Sequence, residues 1–258
     1  MTDSTAVSSG LQPEPPLLRK PLQGPAYRDF VKGVVEAKSA RNYLEIGVHN
    51  GSSLALIDRP AIGVDPAFVF DRNPVGRKRV LHLFQMGSDE FFRDHDPRGI
   101  FGCPVDVAFL DGMHRFEYLL RDFINTERVC DPNGVILLDD CLPISVEMTE
   151  RVHAPQNRKD KAIAGWWTGD VWKVVSILRE YRPDLRLTPV AVVPTGSIVI
   201  SNLNPDSTTL SDKYFEIVDK YFPQTMSDQK FNEYWAQNTP VAAADVLGDF
   251  GFSIYARP

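Results

Sequence analysis

Three carboxylates and an imidazole fall close together in the pattern of residues 105–141. An apolar run, 105–110, stops at Asp111, and a second, 134–138, stops at Asp139 and Asp140. His114 follows Asp111 after one short loop. Between the runs, Phe116, Leu119, Leu120 and Phe123 recur at helical spacing. Strand, helix, strand is a crossover unit whose two strands run parallel and end on the same edge of a sheet. The three acids therefore meet at one edge, the place where open α/β sheets bind ligands. Carboxylates gathered there repel one another unless a hard cation lies between them, and Mg²⁺ takes oxygen ligands of this kind. The plainer alternative is that strand-end acids cap loops without a metal. Cys141 adjoins the acidic pair, but a hard cation disfavours a thiolate.

A second constellation precedes the first. Residues 43–46 make a short strand, and Gly47 and Gly51 follow it in a G-x-x-x-G turn that permits close backbone approach. Residues 52–57 read as the start of a helix whose free N–H groups face that turn. The third glycine of the dinucleotide fingerprint is missing, which argues against NAD. Residues 61–65 form another apolar strand ending in Asp65, about 20 residues after the turn, where an acid that binds ribose hydroxyls belongs. A third strand candidate covers 79–85. Ser88 and Asp89 beyond it either cap a helix or touch an adenine. His49, inside the glycine turn, reads as a turn residue that can touch a cofactor.

These groups need a sheet to hold them, and the remaining pattern supplies one. Residues 27–38 form a leading helix, 171–181 another, and 185–193 with 196–201 a hairpin, because so short a link requires antiparallel strands. The fold class is thus α/β, a Rossmann-like doubly wound sheet, mostly parallel, with one antiparallel strand in a C-terminal hairpin. Residues 1–24, rich in Pro, Ser and Gly, read as a flexible arm, 25–203 as the main domain, and 204–258 as an extension with one helix (211–221) and an aromatic tail that packs on the domain or on a second subunit. The long connection 142–170 leaves the ligand edge and reads as a substrate or lid loop. It carries Asp170 and the adjacent Trp166 and Trp167, whose rings suit stacking on a sugar or polyketide face, or else one of them pins the loop to the body. A turn is expected at 131–134, and Arg72, Arg77, Lys78 and Arg79 read as a solvated basic face.

The 258 residues carry a net charge of -6, which argues against nucleic acid as a partner. No apolar run is long enough to span a membrane, and the first residues lack the pattern of a secretory signal. Cys103, Cys130 and Cys141 show no metal-binding or disulfide spacing, so free thiols in a cytoplasmic setting are expected.

The motifs in 44–53 (LEIGVHNGSS), 63–65 (GVD), 109–114 (FLDGMH), 134–140 (GVILLDD) and 167–172 (WTGDVW) together resemble a class I S-adenosylmethionine-dependent methyltransferase over about residues 40–202. The branch they are similar to contains metal-dependent sugar O-methyltransferases of the macrocin, mycinamicin and rhamnosyl type, with cephalosporin-hydroxylase-like proteins. The resemblance implies that Glu45, Gly47 and Ser53 hold the methionine end of S-adenosyl-L-methionine, with His49 and Gly51 in the same turn, Asp65 on the ribose and Ser88 near adenine. It implies Mg²⁺ on Asp111, Asp139 and Asp140, with Asp111 also touching the cofactor, and His114 as general base, neutral near pH 7. Trp166, Trp167 and Asp170 would face the acceptor. His82, His95 and His153 match nothing and read as structural. The implied acceptor is a small molecule or oligosaccharide, in particular a methylated mannoside, with a catechol as the alternative. A homodimer is expected from the aromatic tail. Two other classes stay open, a non-methylating enzyme on the same fold and a catalytically silent binding module.

Overall fold

The computed structural model describes residues 19–251. The chain folds as α1 (Tyr27–Ala37), β1 (Tyr43–Ile46), β2 (Ala61–Val64), β3 (Leu81–Phe84), α2 (Ser88–Asp94), α3 (Pro97–Phe101), β4 (Val105–Leu110), α4 (Phe116–Val129), β5 (Cys130–Leu138), α5 (Trp172–Tyr181), β6 (Arg186–Ala191), β7 (Ser197–Ser201), α6 (Thr209–Asp212), α7 (Tyr214–Tyr221), α8 (Asp228–Gln237), β8 (Val241–Ala242) and α9 (Ala243–Gly251). The strands form one sheet in the order β3-β2-β1-β4-β5-β7-β6-β8. From β3 to β5 all pairs are parallel, β7 runs against both β5 and β6, and β8 lies parallel to β6. The reversed strand of the hairpin is therefore β7, as the short link at residues 194–196 requires.

Both faces of the sheet are covered, which is why β1, β2 and β7 are buried along their whole length. Alternate residues serve opposite layers. Leu44, Ile46, Leu110, Ile136 and Leu138 face a core closed by Leu120 and Phe123 of α4, Val174 and Leu178 of α5, and Phe231 of α8. Tyr43, Val107, Phe109 and Leu137 face the other, closed by Phe30, Val34 and Val35 of α1 and Val246 of α9. Between β1 and β4 the chain order reverses direction across the sheet, and the crevice of a doubly wound sheet opens at the strand tips there.

Several expectations change. Residues 52–57 form only a single 3-10 turn, Leu54–Leu56, not an α-helix. The expected turn at 131–134 lies inside β5 as a bulge, where Val105 pairs with Cys130 and Val107 with Val135. It is closed by the Asn133 N–H donating to the Asp131 carboxylate at 2.9 Å. The C-terminal extension holds α6, α7, α8 and α9 in place of one helix, and its β8 and α9 join the sheet and the α1 layer. Phe231, Tyr234 and Trp235 are buried in the chain's own core, so they are not the exposed surface that suggested a second subunit. Phe252 and Tyr255, and residues 1–18 of the expected arm, lie outside the described residues. The later part of that arm is attached. The Arg19 N–H donates to the Ile144 carbonyl at 2.8 Å, and its guanidinium lies 4.8 Å from the Trp235 ring. Lys78 is not solvated. It is buried and donates to the carbonyls of Leu54 and, at 3.0 Å, Pro74. All three cysteines are free. No helix among the described residues is long and apolar enough to cross a membrane.

Candidate active site

A cavity of about 880 Å³ opens at the tips of β1, β2 and β4. Its floor is the glycine turn. Gly47 takes φ +92, and a Cβ there would lie 2.0 Å from the Asp111 carbonyl oxygen, so the β1 and β4 tips touch only because this residue has no side chain. His49 also adopts a left-handed φ of +47. Its N–H donates to one Asp65 oxygen at 2.8 Å, and the Ala67 N–H donates to the other at 2.8 Å. Asp65 is thus held by backbone on both oxygens, each keeping a second lone pair for a ligand hydroxyl.

Gly47, His49, Ser53, Asp65, Ser88 and Asp111 all line the cavity. Glu45 and Gly51 do not. Glu45 is fully buried behind the turn, accepting the Ser53 hydroxyl at 2.6 Å and the Tyr43 hydroxyl at 2.7 Å. Burial pushes its pKa up to about 7, against the pull of those two hydrogen bonds. It acts on the cavity through Ser53. The Gly51 α-carbon faces Phe70 instead. Ser88 and Asp89 begin α2, but the N-cap position is Gly87 and no side-chain cap bond forms.

At the β4 and β5 tips, Asp111, His114 and Asp140 offer ligand atoms that all lie within 4.8 Å of one another. The His114 Nε2 is 3.2 Å from Asp140 and 3.6 Å from Asp111. Its Nδ1 meets the Trp167 carbonyl at 2.8 Å. A carbonyl accepts, so Nδ1 carries the proton and Nε2 faces the two carboxylates. This hydrogen bond fixes the orientation and tautomer of the ring. Asp140 takes φ +58, a costly conformation for a residue with a Cβ, and the Thr195 hydroxyl donates to its carboxylate. The oxygen donors of Asp111 and Asp140, beside an oriented imidazole, fit a divalent cation.

Asp139 does not join this group. It is buried, and its carboxylate accepts the Ser197 hydroxyl at 2.8 Å on the far side. Adjacent residues at a strand tip point apart, so the pair of acids divides between two environments. Burial first, and then the charges of Asp111 and Asp140, hold the Asp139 pKa well above the carboxylate range. Asp140 is raised by burial and Asp111 too, against the His114 charge. His114 is the group that answers them. Burial lowers its pKa, but Asp140, the hydrogen bond and charge of Asp111, and the Trp167 carbonyl raise it to about 10. These charges favour the imidazolium form, whereas the expected role as base needs the neutral ring.

The 142–170 loop forms one wall. Trp167 stacks on His114 (centroids 4.9 Å apart) and on His153 (5.4 Å), and its Nε1 donates to the Glu150 carbonyl at 2.6 Å. His153, expected to be structural, lines the cavity beside it. Trp166 instead packs against the core. Asp170 is a buried pin outside the cavity. It accepts the first N–H of α4, from Phe116, at 3.0 Å, and the cations of Arg151 and Lys173. Gly169, at φ +57, presses the loop onto His114, where a Cβ would lie 1.8 Å from the His114 carbonyl oxygen. Tyr27, Tyr118 and Asp122 also line the cavity and were not anticipated. Asp122 left a trace in the sequence, an acid set among Leu119, Leu120 and Phe123 on the apolar face of a helix.

Residues 44–141 match the family model described as "Methyltransferase domain". This segment runs from β1 to the end of the acidic tip. No curated protein matches the sequence. Among solved structures, an O-methyltransferase from Bacillus cereus in complex with SAH is similar at 17% identity, covering 71% of this chain and 83% of its own, with a TM-score of 0.48. The O-methyltransferase TomG from Streptomyces achromogenes, involved in tomaymycin synthesis and solved with SAM, is similar at 16% identity, covering 67% and 78%, with a TM-score of 0.48.

Proposed function

We propose that the chain transfers a methyl group from S-adenosyl-L-methionine to a hydroxyl of a sugar, oligosaccharide or glycosylated natural product, with a hard divalent cation such as Mg²⁺ and with His114 as base. One observation carries the reading. A single cavity, lined largely by the matched segment, joins the glycine turn and Asp65 to Asp111 and His114, and the His114 Nε2 lies 3.2 Å from Asp140. Asp65 accepts hydrogen bonds from ribose hydroxyls, and the Gly47 turn lets the cofactor approach the backbone. The cofactor supplies an electrophilic methyl on a sulfonium, whose positive charge the acidic edge favours.

Asp111 and Asp140 would hold the cation, with Asp139 behind them on the Ser197 hydroxyl. When bound, the cation stabilises the alkoxide form of an attached hydroxyl, as metals do for water. With Asp111 and Asp140 engaged by a cation, the His114 imidazole would be free to be neutral, its Nδ1–H held by the Trp167 carbonyl and its Nε2 turned to the acceptor. Nε2 takes the hydroxyl proton. Trp167, His153 and the half-exposed Met113 form the acceptor wall. Holding acceptor oxygen and methyl carbon in line supplies much of the rate.

The test is product analysis with S-adenosylmethionine and a panel of sugars and catechols, with Mg²⁺ or with excess chelator. Release of S-adenosylhomocysteine with a methylated sugar, lost in chelator, is the expected result. Full turnover in chelator removes the metal, methylation of catechols alone replaces the acceptor class, and binding without turnover leaves a silent module.

A further inference from the structure

The turn of the β6–β7 hairpin braces the acidic tip. Residues 194–196 press on the chain just beyond Asp140. The Leu142 N–H donates to the Thr195 carbonyl at 2.8 Å, and Gly196, at φ +67, packs so closely that a Cβ there would lie 2.5 Å from a Leu142 methyl carbon. Reversing the chain needs only the backbone of this turn, yet its side chains also reach the acids. Thr195 is 1% exposed, and Ser197, two residues on at the start of β7, is wholly buried.

The two hydroxyls divide the adjacent acids between them. Ser197 donates to Asp139 at 2.8 Å, and Asp139 stays outside the group formed by Asp111, His114 and Asp140. Thr195 donates to Oδ1 of Asp140, and it is the other oxygen, Oδ2, that lies 3.2 Å from the His114 Nε2. A carboxylate held by one oxygen cannot turn about its Cβ–Cγ bond to bring both oxygens onto one ion. Asp140 is thus set to give a single oxygen. That bears on the choice of cation. Ca²⁺ takes about six to eight oxygens and accepts a carboxylate through both of its oxygens, whereas Mg²⁺ demands a near-ideal octahedron and keeps several waters in it.

We propose that Thr195 is a positioning residue that makes Asp140 a one-oxygen ligand and so tunes the site toward a small octahedral cation and against Ca²⁺. The inference rests on the proposed metal site at Asp111 and Asp140. Its requirement at position 195 is a hydroxyl. Valine resembles threonine in shape but lacks that group, so Thr195→Val releases Oδ1 and lets both Asp140 oxygens reach one ion, while Thr195→Ser keeps the donor.

The experiment is calorimetric titration of the full chain with Mg²⁺ and with Ca²⁺, which reads binding without turnover. In Thr195→Val the ratio of Ca²⁺ to Mg²⁺ affinity rises about fivefold or more over the wild type, the scale of one hydrogen bond. In Thr195→Ser it stays at the wild-type value. Thermal melts verify that the variants fold, and Thr195→Ala supplies the same comparison if valine is not tolerated. A merely structural role weakens both cations together, so an unchanged ratio in the variant without a hydroxyl overturns the proposal. A ratio that shifts as far in Thr195→Ser overturns it too, because the hydroxyl is then not the cause. Failure of the wild type to bind either ion overturns the metal reading itself, a result distinct from binding whose selectivity ignores position 195.

Discussion

The two halves of the ligand edge treat their acids in opposite ways. At the β1 and β2 tips, Glu45 and Asp65 each receive two donors from the chain, hydroxyls in one case and backbone N–H groups in the other. At the β4 and β5 tips, Asp111 and Asp140 face one another across His114, with Asp139 buried behind them. Satisfied acids are fixtures that shape a binding surface. Crowded acids hold a place for a cation, whether a proton on imidazole or a metal. In the proposed reading, cofactor binding belongs to the first half and chemistry to the second.

Substitutions can break that contrast. The largest effect is expected from Asp140→Ala, which should reduce metal-dependent turnover by about 10³-fold or more, the upper range for losing one charge-stabilising group. Calorimetry should find S-adenosylhomocysteine affinity changed by less than about threefold. Asp139→Asn should cost much less turnover, and an equal loss in the two variants would return Asp139 to the ligand set. His114→Ala should cost about 10²-fold in kcat, the lower end for a lost general base, with cofactor affinity again retained. Asp65→Ala should do the reverse. It weakens cofactor binding by about tenfold, while kcat at saturating cofactor moves little. If Asp65→Ala lowers kcat alone, the division of labour between the halves is wrong.

The smallest effect is one of stability. Glu45 and Asp122 both have folded pKa values raised to about 7 by burial. Between their unfolded values near 4 and about 7, the folded chain binds more protons than the unfolded one, so stability is full below that window and falls as pH rises through it. The melting midpoint should drop by a few degrees across this range, and Asp122→Asn should flatten the slope. A midpoint that rises from pH 5 to pH 7 contradicts those burial shifts.

The sheet was legible because its inner strands are short apolar runs that end in acids, and parallel strands must bring those acids to one edge. Gly47, Asp65, Asp111 and His114 followed from that geometry. What stayed hidden depends on distance and direction. Asp139 and Asp140 are neighbours in sequence, and nothing in their types shows that a left-handed φ at Asp140 turns one inward and leaves the other on Ser197. The charge of His114 is set by a residue 26 positions away, counting from 114 to 140. Asp170 matched a motif, but its side chain ties the 142–170 loop to α4. The α8 helix could have been found, since Phe231, Tyr234 and Trp235 stand at i, i+3 and i+4.

The most direct test follows the imidazole itself. Nitrogen-15 NMR of the labelled chain, with His114→Gln to assign its signal among the five histidines, measures the His114 pKa with and without saturating Mg²⁺. Proton and metal competing for Asp111 and Asp140 predict an imidazolium that persists above pH 8 without the metal, and a neutral ring near pH 7 once Mg²⁺ is bound. A His114 titration that Mg²⁺ does not move would contradict the account.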